Sequence, residues 1–203
     1  MRTSFRIVAA AILALVGGAA MAGGYVLTIG GKSTELDLDK DATVVVDGKP
    51  VSVRLQRKAQ QVFIDGGLSF EHPATVQPST TDINDQIRQI MLVSANGNGV
   101  ILQRYEGLDP TSLIDLMVKE TTDEEVAAGY QRKIVPVTRL LADGRELVGK
   151  QVRTESGDES WDRTVVARGD RKGGYLVITM MEEDRAALDV ALIERFWKTL
   201  KLD

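Results

Sequence analysis

Short stretches of alternating apolar and polar residues, each ended by a glycine-containing turn, recur along this chain and point to antiparallel sheet. Tyr25 to Ile29 reads as a strand and is followed by the turn Gly30-Gly31-Lys32. Thr34 to Leu38 alternates again, Ala42 to Val46 is rich in β-branched residues, and Asp47-Gly48 is a strong hairpin signal. Val51, Val53 and Leu55 fall on one face of the next strand. Residues 23–59 are therefore expected to form a small β-meander of about four strands, too little to bury much surface alone.

A second segment, 60–203, begins with Leu68-Ser69-Phe70-Glu71-His72-Pro73, a short strand running into a proline turn. Ile87 to Val93 and Val100 to Tyr105 read as strands joined by Asn96-Gly97-Asn98-Gly99. The period then changes. Asp109 and Pro110 fit the cap and first turn of a helix carrying Leu113, Leu116 and Met117. Thr122 and Glu125 match a capping box, and Gly129 fits a helix stop. Three strands are predicted at Ile134 to Leu141, Glu146 to Thr154 and Trp161 to Arg168, with turns at Asp143-Gly144 and Ser156-Gly157-Asp158. Tyr175 to Met181 follows Gly173-Gly174 as another strand. A last helix from Asp184 to Leu200 buries Leu188, Leu192, Phe196 and Leu200. Strands with helices grouped between and after them indicate an α+β fold, a largely antiparallel sheet flanked by helices.

The N-terminus carries a different message. Arg2 and Arg6 precede an apolar run from Ile7 to Met21, and Ala20 and Ala22 occupy the −3 and −1 positions of a cleavage site. The run holds Gly17 and Gly18 and is shorter than a membrane span. Residues 1–22 read as a signal peptide, so the expected site of action is the periplasm or the exterior. With no cysteine, neither lipid attachment nor a disulfide framework is possible. Cleavage leaves about 180 residues, enough for one domain with a small addition. It also removes two arginines and no acid, making the net charge of −4 more negative still. Such a surface repels nucleic acid and anionic lipid, and stable membrane insertion after cleavage is not expected.

Several motifs resemble chemistry and fall short of it. Gly31-Lys32-Ser33 looks like the tail of a P-loop, but Val26 stands where its first glycine belongs and a strand follows. Asp37, Asp39 and Asp41 alternate as in a calcium loop, yet Ala42 and Gly48 occupy its glycine and glutamate positions. His72 is the one histidine, which rules out a histidine-rich zinc site, and no Gly-x-Ser-x-Gly elbow accompanies it. Asp158-Glu159 and Glu182-Glu183-Asp184 are paired acids that read as an exposed loop and a helix start. Trp161 and Trp197 are read as core residues, although Trp197, beside Phe196, must lean off the central stripe toward a sheet edge or a partner. No catalytic residue, cofactor-binding residue or metal ligand is assigned.

The entry Leu68 to Pro73, the order hairpin, helix, strands and terminal helix, and the ending Phe196-Trp197-Lys198-Thr199-Leu200 resemble PsbP-like domains, among them the bacterial DcrB-like envelope proteins. The resemblance spans 60–203 and leaves the N-terminal β segment outside it. It implies an antiparallel sheet flanked by helices and a binding or assembly role without catalysis. The expected function is thus an exported, soluble, non-enzymatic binding or assembly factor for an envelope protein. A small-ligand, calcium or cell-wall glycan binder and a carboxylate-based hydrolase are the alternatives.

Overall fold

The structure, a computed structural model, describes residues 24–182 and 187–202. The signal-peptide reading of 1–22 and the acids Glu183 and Asp184 lie outside those residues. The chain divides into two compact units, 1–57 and 58–203.

The described part of the first unit is two hairpins. Strand β1 (Tyr25–Ile29) pairs with β2 (Lys32–Leu36), and β3 (Asp41–Val46) pairs with β4 (Lys49–Arg54). The expected meander does not form, because β2 and β3 do not pair. The hairpins are joined instead by a parallel bridge between Leu38 and Leu55, with the Asp39 N–H donating to the Leu55 carbonyl at 2.8 Å. Asp39 and Asp47 hold left-handed backbone at φ 60° and 51°, a conformation that acidic turn residues tolerate. Leu36 and Val44 are the buried apolar side chains of this unit.

The second unit adds β5 (Gln60–Asp65), β6 (Leu68–Pro73), β7 (Ser79–Asn84), β8 (Ile87–Val93) and β9 (Gly99–Glu106). A 3-10 turn (Pro110–Leu113) leads into α1 (Ile114–Glu120) and α2 (Asp123–Ala127). Then come β10 (Gln131–Leu140), β11 (Glu146–Ser156), β12 (Glu159–Asp170), β13 (Gly173–Glu182), α3 (Ala187–Thr199) and β14 (Lys201–Leu202). Seven strands form one antiparallel sheet in the order β10-β11-β12-β13-β9-β8-β7. Three more form a second sheet, β14-β6-β5.

Both faces of the large sheet are covered. On one, Leu68, Phe70 and Leu202 of the small sheet and Leu192, Phe196 and Leu200 at α3 pack on Leu92, Leu102, Val166 and Val177. On the other, Val118 of α1 meets Tyr105, Val152, Val165, Leu176 and Ile178. Burial on both sides explains the unbroken apolar runs of β12 and β13. Gly169 makes room for the 3-10 turn, since a Cβ there would lie 2.6 Å from Pro110 Cδ.

The α+β expectation is overturned. Strands take up 58% of the described residues and helices 17%, so the chain is mainly β. Two physical causes separate reading from result. The helices are short, 7, 5 and 13 residues, whereas β10 to β13 run to 10–12 residues. In addition, a second sheet shares with α3 the cover that helices alone were expected to provide. The capping box also fails: the Thr122 hydroxyl donates back to the Val118 carbonyl, and Glu125 turns to Arg163.

Candidate functional site

Each sheet of the second unit ends in two strands with an unpaired backbone edge. Such an edge recruits another strand unless it is short, interrupted, bulged or charged. Three of the four are so protected. β14 is two residues long. β10 keeps register with β11 at every position, so Pro136, lacking an N–H, must turn its nitrogen outward and break the free edge in its middle. β7 is exposed along its whole length, polar at Ser79, Thr80, Thr81 and Asp82, and its register with β8 slips between Asp82 and Asn84.

β5 is the least protected, its one charge being Asp65 at its end. Its six residues pair in unbroken register with β6 and, among the described residues, with nothing on the other side. They contain no proline and no lysine. Phe63 turns inward and stacks on Phe70 at 5.0 Å between ring centres. Val62 and Ile64 turn outward and are 61% and 76% exposed. The alternation that makes β5 a strand therefore places two β-branched apolar residues on the solvent face.

At the end of β5 a groove of about 440 Å³ is lined by Asp65, Gly66, Asp82, Asp85, Arg88, Arg104 and Glu106, among others. Arg88 crosses between the two sheets: its Nε donates to Asp65 at 2.6 Å and its Nη1 to Asp82 at 2.7 Å. Those two carboxylates, Asp65 foremost, hold the guanidinium above its ordinary pKa. Arg104 Nη1 donates to the Gly66 carbonyl at 3.0 Å. Gly66 has φ 50°, and an added Cβ would fall 1.8 Å from that same nitrogen. Glycine takes this left-handed backbone without strain and leaves room for the arginine lying against it. Four carboxylates against two guanidiniums leave the groove acidic.

The residues singled out from sequence do not converge here. Gly31-Lys32-Ser33 is the β1–β2 turn and the start of β2, with the Ser33 and Thr28 hydroxyls 2.9 Å apart. Asp37 pairs with Lys40 at 2.9 Å, and Asp41 lies 3.8 Å from Arg54. Among the described residues no group of three or more histidines or acids is placed to hold a metal ion. His72 is buried on β6, not in a turn; its Nδ1 lies 2.8 Å from the Val76 carbonyl and 3.0 Å from that of Pro73, so it carries the proton there. Glu159 accepts from the Tyr130 hydroxyl. The Glu182 N–H donates to Asn98 Oδ1 at 2.8 Å. Trp161 is half-buried under the Arg163 guanidinium, 5.3 Å from the ring centre. Trp197 is half-buried beside Phe196 and beneath Arg139 of edge strand β10, 5.6 Å away.

β5 and Arg88 escaped the sequence reading. The strand carried a signal, since the β-branched and aromatic run Val62-Phe63-Ile64 leads into Gly66-Gly67. Arg88 carried none, because its carboxylate partners lie 23 and 6 residues earlier in the chain.

No family model matches the chain, and no curated protein matches it. No helix among the described residues is long and apolar enough to cross a membrane.

Proposed function

We propose that this is an exported, non-enzymatic binding or assembly factor whose partner is an envelope protein, captured by strand addition at β5. One observation carries the reading: of the four sheet edges left free among the described residues of the second unit, β5 is the least protected and presents Val62 and Ile64 outward. In strand addition, main-chain hydrogen bonds supply affinity and alternate side chains supply selectivity. The partner segment is extended and apolar at every second position. The acidic groove at Asp65, Asp82 and Asp85 favours a lysine or arginine where the segment leaves the strand. The N-terminal pattern of Arg2 to Ala22 supports export. The likeness of 60–203 to PsbP-like domains belongs to the same proposal and agrees with a binding role.

The test is in-cell crosslinking from a photoreactive residue at position 62, with position 80 on β7 as control. A discrete envelope protein joined at 62, absent at 80 and lost in the Val62→Lys, Ile64→Lys double variant, is the expected result. Equal crosslinking at both positions, or capture that survives the double variant, sinks strand addition at β5. A product joining two copies of this chain would identify the edge as a self-association surface instead.

A further inference from the structure

A second site, independent of β5, lies at the far end of β12 and β13. Arg88 is opposite Arg104, Arg104 is opposite Tyr175, and Tyr175 is opposite Arg168. Directly opposed residues share a face. Three guanidiniums and a phenol thus stand in one row across β8, β9, β13 and β12. Like charges opposed at this spacing destabilise a sheet unless they are neutralised. Arg88 has Asp65 and Asp82, and Arg104 has Glu106 at 3.4 Å. Arg168 has a main-chain carbonyl, that of Glu146, at 3.3 Å. It is exposed and pairs with no carboxylate among the described residues.

Beside Arg168 a cavity of about 400 Å³ is lined by Arg145, Arg168, Asp170, Gly173, Gly174 and Tyr175, among others. The glycines let the strands approach closely beside it. A Cβ on Gly173 would lie 2.2 Å from the Tyr105 carbonyl oxygen, and one on Gly174 would lie 2.3 Å from that of Arg168. Arg145 gives Nε and Nη2 to Asp143 and keeps Nη1. Asp170 turns Oδ1 to the Lys172 N–H at 2.7 Å, within its own hairpin. Among the described residues the cavity therefore holds one guanidinium that pairs with no carboxylate and a second with a spare donor.

We propose that this cavity binds a single oxyanionic group, carboxylate or phosphate, with Arg168 as its main ligand and Arg145 as its second. The planar fork of arginine donates two parallel hydrogen bonds to either group. Binding supplies the counter-charge that Arg168 lacks among the described residues.

The experiment follows the arginine Nε–H resonances of the protein while inorganic phosphate or acetate is added at constant ionic strength. The expected result is a saturable shift at Arg168 and Arg145 with one or both anions, and none at Arg88. Saturation by phosphate alone assigns a phosphoryl ligand, and by acetate alone a carboxylate ligand. In Arg168→Gln the affinity read from Arg145 falls about tenfold or more. A drift matched by sodium chloride, or saturation undiminished in Arg168→Gln, would overturn the proposal. A far-ultraviolet dichroism spectrum and melting curve equal to wild type would establish that Arg168→Gln is folded.

Discussion

Arg163 is a charged side chain that the fold can ill afford to lose. It is buried on β12, and its Nη1 reaches Thr154 at 2.9 Å and Glu125 at 3.0 Å, while Nη2 holds the other oxygen of Glu125. Breaking a buried pair from one side leaves an uncompensated charge. Arg163→Met or Glu125→Gln should each lower stability by about 3–5 kcal/mol, read as a shift in urea midpoint. Combining Arg163→Met with Glu125→Leu should recover part of the loss; a double variant no better than the singles would refute the pair argument. Asp189 is buried too, and accepts from Asn98 at 2.8 Å and Asn96 at 3.0 Å. Burial pushes its pKa up, but the Asn98, Asn96 and Ser94 hydrogen bonds outweigh that and hold it below 3.8. The unfolded chain then binds the proton more readily than the folded one. The contribution is complete above the unfolded pKa and is lost as pH falls below about 4 through the lower folded value. Between pH 5 and 3 the wild type should lose more stability than Asp189→Asn, and parallel losses would remove Asp189 as the cause.

Among the elements, glycine placement decides where helix meets sheet. Gly169→Ala would drive a methyl group into Pro110 and should cost about 1–3 kcal/mol by overpacking. Val62→Lys with Ile64→Lys, by contrast, should leave the melting transition of the isolated protein unchanged within about 0.5 kcal/mol, because both side chains already face water. A large loss of stability there would mean that β5 is covered in solution. These contrasts also explain what sequence could and could not reveal. The strand at Ile87 to Val93 is legible to the residue, and β11 to β13 within about two residues at each end, because their β-branched and apolar residues are bounded by glycine-containing turns. β7 was missed because an edge strand with both faces exposed has no apolar period to detect. The box at Thr122 and Glu125 was misread since a local capping pattern competes with a distant arginine that no spacing rule foretells. The arginine row was invisible for a related reason: it exists only once β8, β9, β13 and β12 are in register.

At the scale of the whole molecule the two units differ sharply in what holds them. The first buries Leu36 and Val44, whereas the second has apolar clusters on both faces of its large sheet. A two-stranded hairpin is marginal by itself in water. A fragment of residues 58–203 should therefore keep the main cooperative melting transition, and limited proteolysis should cut first within 24–57. Loss of the transition in that fragment would show that the second unit needs the first. The second unit in turn depends on its far end. The N–H of Glu71 donates to Thr199, 128 residues later, and β6 pairs with β14. The opening strands of this unit thus need α3 and β14 before their sheet can close. Long-range closure of this kind slows folding, so the sheet β14-β6-β5 should be among the last parts of this unit to gain protection from hydrogen exchange during refolding.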